Sequence, residues 1–107
     1  MTQEKILLSA EIKRLSNLLD AYYNTELNFR NHCYLRIAYD AVVQDKWDVV
    51  IMKPFIKNAT ENQLENALDL LNKYLSDKQM LLADNEKSLF LRQQYKNQTR
   101  DFDGKLF

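Results

Sequence analysis

The side chains best suited to chemistry crowd into Arg30-Asn-His-Cys-Tyr-Leu-Arg-Ile-Ala-Tyr-Asp40, continued by Lys46-Trp-Asp48 and Lys53-Pro-Phe55. If this stretch is helical, Asn28, His32, Arg36 and Asp40 stand at steps of four and make one polar stripe, with Tyr39 at its flank. A planar guanidinium and an imidazole so placed, with Arg30 before them and Lys53 and Lys57 folded nearby, suit an anionic small molecule or nucleotide. The same spacing also serves a solvated face on which Arg36 and Asp40 pair at i,i+4. Trp47 reads either as a core anchor or as a stacking platform.

Catalysis asks for more than this stretch offers. The single histidine, His32, adjoins the single cysteine, Cys33, and neighbours on a helix point about 100° apart, so the two form no dyad. Cys33 reads as a small buried hydrophobe. Loops that cradle phosphates or dinucleotides need glycines for close backbone approach, and the one glycine is Gly104, near the end of the sequence. There is no Glu-x-x-His pair of the kind that binds metals inside helical bundles, and no zinc-ligand spacing. The expectation is a protein that is not an enzyme and uses no cofactor or metal.

Helices must position these residues. One glycine and one proline in 107 residues leave too little punctuation for a turn-rich β fold. Leu8, Ile12, Leu15, Leu19 and Tyr22 alternate steps of four and three, the stripe of an amphipathic helix or of a coiled-coil seam. A second helix, capped by Asn24 or Thr25, is predicted from Leu27 through Phe29, Cys33, Ile37 and Ala41 to Trp47 and Val50, ending near Ile51 or Met52 ahead of Pro54. Lys53–Ala59 is a loop. Thr60-Glu-Asn-Gln63 is a capping box that opens a third helix with Leu64, Leu68, Leu71 and Leu75. Ser76-Asp-Lys-Gln79 repeats the pattern and predicts a fourth, carrying Met80, Leu81, Leu89, Phe90 and Tyr95; a single helix through both is the alternative. The fold class expected is all-α, a bundle of three to four helices over residues 1–96, with a flexible tail over 97–107.

Charge and length bound the partners. Fifteen basic side chains balance fifteen acidic ones, so a nucleic-acid partner is disfavoured, leaving only a local binder on the last helix through Lys87, Arg92, Lys96, Arg100 and Tyr95. No charge-free run approaches the ~20 apolar residues that span a bilayer, and no secretory leader is recognised, so no membrane and a cytoplasmic location are expected.

The Arg30–Asp40 segment with its Lys-Trp-Asp and Lys-Pro-Phe elements resembles a loosely defined family of small helical proteins of bacteria, phages and mobile elements. The likeness covers Leu18 to Arg92. Members are sometimes labelled acetyltransferases, a label the missing glycine loop argues against. The resemblance implies that Arg30, His32, Arg36, Asp40, Lys46, Trp47, Lys53 and Pro54 act as one unit, as structural signature or as site. Tyr22, Tyr23, Tyr34, Tyr74, Phe90 and Tyr95 cannot all face inward, and surplus surface aromatics are typical of interface anchors. The function expected is protein interaction, as an adaptor or inhibitor acting on a host protein, in a homodimer. The end of the chain offers a second recognition element: Phe102, Leu106 and Phe107 among acids form a short linear peptide suited to a hydrophobic pocket with a basic rim.

Overall fold

A computed structural model describes the backbone of residues 2–106 and the side chains of residues 2–96. Among the described residues six helices follow one another: α1 Gln3–Tyr22, α2 Asn31–Val43, α3 Trp47–Val50, α4 Phe55–Asn58, α5 Glu61–Ser76 and α6 Lys78–Leu106. Among the described residues there is no strand, so the all-α class holds. The tail expected over 97–107, with Phe102, Leu106 and Phe107, lies outside the residues whose side chains are described.

α1 is capped by Thr2, whose hydroxyl accepts the Lys5 N–H at 3.2 Å, and the same hydroxyl donates to Glu61 at the start of α5 at 3.0 Å. At the other end, the Tyr23 hydroxyl donates to the carbonyl of Tyr74 at 2.6 Å. That carbonyl is in the last turn of α5, where no intrahelical N–H reaches it. Start meets start and end meets end, so α1 and α5 run parallel. Between these clamps Ile12, Leu15 and Leu19 from α1 and Leu64, Ala67 and Leu71 from α5 are buried in one core. The Ile12/Leu15/Leu19 stripe is therefore spent inside the domain and is not a seam for a second chain.

The capping box at Thr60 is present as predicted: Gln63 N–H donates to the Thr60 hydroxyl at 3.1 Å and the Thr60 N–H donates to the Gln63 side chain at 2.8 Å. The break between α5 and α6 is present too, one residue later than expected. Asp77 rather than Ser76 caps α6, its carboxylate accepting the Met80 N–H at 3.0 Å while its own N–H closes α5 on Lys73 at 2.8 Å. The single long helix is thereby excluded.

The second predicted helix is the main correction. It starts at Asn31, not Leu27, and stops at Val43 instead of running to Ile51. Tyr23 to Glu26 form a turn and Arg30 is extended, so Asn28 stands outside the helix. At the far end Gln44 turns left-handed, with φ 59°, and its N–H closes on the Asp40 carbonyl. An Asp40 carboxylate oxygen then accepts the Trp47 N–H at 2.9 Å and starts the one-turn α3. A side chain from within α2 thus recruits the backbone that would have prolonged it. Val50, expected on the buried side, is 55% exposed. The Lys53–Ala59 loop contains the one-turn α4 and a cis Lys53–Pro54 bond.

Candidate functional site

α2 presents two faces. Tyr34, Ile37 and Ala38 enter the core, whereas Arg36 and Asp40, one turn apart, meet Asn85, Ser88 and Arg92 on α6. Asp40 is 1% exposed and fully occupied. One of its oxygens accepts from the Ser88 hydroxyl at 2.5 Å and Arg92 Nε at 2.9 Å; the other accepts from Arg92 Nη2 at 3.1 Å and the Trp47 N–H. The forked guanidinium of Arg92 thus grips the carboxylate with two parallel bonds. Arg36 donates to Ser88 at 2.6 Å and to Asn85 at 2.9 Å, so it pairs with α6 and not with Asp40 as the i,i+4 spacing predicts. Lower on the same seam the Tyr95 hydroxyl donates to Asp45 at 3.2 Å, and that bond raises the tyrosine's pKa.

Beyond Asp40 the chain forms an aromatic cluster. Tyr39 and Phe55 stack with ring centres 3.7 Å apart, and Trp47 meets both edge-on at 5.6 Å. Burial pushes the Tyr39 hydroxyl up to about 12. Lys46 donates to Asp48 at 2.8 Å and Lys53 lies 3.6 Å from the same carboxylate. Burial alone would raise the Asp48 pKa, but the hydrogen bond and charge of Lys46 outweigh it and lower it. On this frame Val49, Val50 and Met52 are 51%, 55% and 78% exposed. Beside them Tyr39, Trp47, Lys53, Pro54, Phe55 and Ile56 line a hollow of about 350 Å³.

The residues expected to form an anion pocket are distributed differently. Arg36 and Asp40 lie in the seam, Tyr39 is in the core, and Arg30, His32, Lys53 and Lys57 are exposed. Among the described residues no hydrogen bond or ion pair joins Arg30, His32, Lys53 or Lys57 to Arg36 or Asp40. On α6 Lys87 and Lys96 are exposed, but Arg92 is held by Asp40 and Tyr95 by Asp45. Among the described residues no group of histidine, cysteine and carboxylate side chains could hold a metal ion, and no helix is long and apolar enough to cross a membrane. Val49, Val50 and Met52 escape notice in the sequence, where valine and methionine near a tryptophan read as core.

Comparison with known proteins returns nothing: no family model, curated protein or solved structure matches the chain. None of these comparisons bears on the resemblance read at Arg30–Asp40, Lys46–Asp48 and Lys53–Phe55.

Proposed function

We propose that this protein is a non-enzymatic interaction module, an adaptor or inhibitor that meets a host protein in the cytoplasm through the α3–α4 edge. The observation that carries the reading is the outward placement of Val49, Val50 and Met52 on a segment held rigid by the Tyr39/Trp47/Phe55 cluster and the Lys46–Asp48 pair. Adjacent apolar side chains on a fixed frame lose little entropy on binding and lose water when covered. Lys53, with 72% of its side chain exposed, supplies a cationic rim. The fitting partner therefore offers an apolar anchor beside an acidic group. The anionic-ligand reading has less support, since Arg36 already spends its guanidinium on Ser88 and Asn85.

A photoreactive residue at position 52, compared with one at exposed Asn62 on α5, tests this reading in the host cell. The expected result is a discrete adduct from position 52, none from 62, and loss of that adduct in Val50→Asp protein of unchanged helicity. Identical adducts from both positions, or none from position 52, would refute it.

A further inference from the structure

The outer flank of α1 carries a pattern that the fold leaves uncovered and that lies apart from the α3–α4 edge. Leu7, Glu11, Arg14 and Leu18 stand at steps of four, three and four, on one stripe beside the buried Ile12/Leu15/Leu19 stripe. Leu7 is 58% exposed, Leu18 43%, and Tyr22 at the end of the stripe 60%. Between the leucines Arg14 and Glu11 form an ion pair of 2.8 Å, both largely exposed.

Read from either end, the order is the same: leucine, a charge, the opposite charge, leucine. We propose that this stripe binds the same stripe of a second copy, antiparallel, about a two-fold axis midway between Ile12 and Lys13. Leu7 then packs against the partner's Leu18, Leu18 against the partner's Leu7, and Glu11 and Arg14 each stand beside the opposite charge on the partner. A parallel arrangement is excluded by charge, because it would set Glu11 against the partner's Glu11 and Arg14 against the partner's Arg14. The pairing is isologous and closes at two chains. The two leucines are about 16 Å apart at 1.5 Å rise per residue. A contact of that length is shorter than a standard interface, so the dimer is weak and concentration-dependent.

The palindrome gives the test its signature. Sedimentation equilibrium should show the 12.8 kDa chain passing to twice that mass as concentration rises towards about 1 mM. Glu11→Arg alone and Arg14→Glu alone should each weaken association by about tenfold or more, since each sets like charges against one another. The double variant E11R/R14E keeps the palindrome with its signs exchanged and should recover most of the lost association. Leu18→Asp should abolish it. All these positions are exposed, so circular dichroism should show unchanged helicity. A chain that stays at 12.8 kDa throughout overturns the proposal. So does a double variant no better than the single ones, which would place any self-association elsewhere. Neither result bears on the α3–α4 edge.

Discussion

Where α1 meets α5, the side chains are Ile12, Leu15 and Leu19 with Leu64, Ala67 and Leu71, none more than 2% exposed. Where α2 meets α6, Arg36 reaches Ser88 and Asn85, and Asp40 reaches Ser88 and Arg92. Apolar adhesion is non-directional and tolerates exchange of one hydrocarbon for another of similar volume. A carboxylate holding three side-chain donor groups and reaching back to a backbone N–H tolerates almost none. The first seam supplies adhesion; the second fixes the height of α6 along α2 and, through Trp47, ends α2. Breaking a buried polar contact costs more than making it gains, because the abandoned partners stay dry.

The largest effect is expected from Asp40→Ala. It leaves Arg92, Ser88 and the Trp47 N–H without their acceptor, and should lower unfolding free energy by about 3–5 kcal/mol, read from the urea midpoint. The comparison sharpens with Asp40→Leu combined with Arg92→Met, which removes both charges. That pair should regain the part of the loss that comes from the stranded guanidinium, while the Ser88 hydroxyl and the Trp47 N–H still lack their acceptor, with α6 less uniquely seated, visible as broadened amide resonances around Ser88. A cost below about 1 kcal/mol for Asp40→Ala would mean that water reaches the seam and the contrast is false.

Leu15→Ala probes the other seam and should cost about 2–5 kcal/mol, through lost transfer energy and the cavity left behind. No polar partner is stranded. Leu15→Met should therefore cost under about 1.5 kcal/mol, the tolerance that the α2–α6 seam lacks.

These contrasts also explain what could be read from the chain alone. The Ile12/Leu15/Leu19 stripe, the Thr60 capping box and the Leu64/Leu71 spacing are local patterns, and local patterns survive without knowledge of the partner. The end of α2 is not local. Nothing near Val43 forbids another turn; the Asp40 carboxylate captures the Trp47 N–H because Ser88 and Arg92, some fifty positions onward, hold that carboxylate in place. The stripe of His32, Arg36 and Asp40 was visible as polar, but its split into an exposed histidine and a seam depends on where α6 lies. Likewise Val49 and Met52 have core composition and a surface position, set by the tertiary capture of Trp47.

The core tyrosines give a pH counterpart. Burial pushes the Tyr34 hydroxyl up to about 12, and Tyr39 likewise; Tyr74 is raised by burial and then by its hydrogen bond to Asp84 at 2.6 Å. A raised folded value means that the stabilising contribution is complete below the unfolded pKa of about 10 and is lost as pH rises through the folded values. Alkaline titration at the phenolate absorbance should show these three tyrosines ionising in one step that coincides with loss of helicity above about pH 10. Ionisation while helicity is retained would mean that the core is open to solvent.

The smallest effects separate Arg36 from His32, which share one helical stripe and differ in their surroundings. Arg36→Ala removes two hydrogen bonds to uncharged partners, Asn85 and Ser88, the latter buried and keeping its own bond to Asp40. It should therefore cost about 1–3 kcal/mol, less than Asp40→Ala, which strands a guanidinium. His32→Ala touches an exposed side chain and should change stability by no more than about 0.5 kcal/mol. The order Asp40, Arg36, His32 traces the stripe from the α6 seam out to water. If His32→Ala proves as costly as Arg36→Ala, the imidazole has a partner within the domain and the stripe is one structural unit along its whole length. If Arg36→Ala costs nothing, its guanidinium is free for a ligand and the anion-binding reading returns.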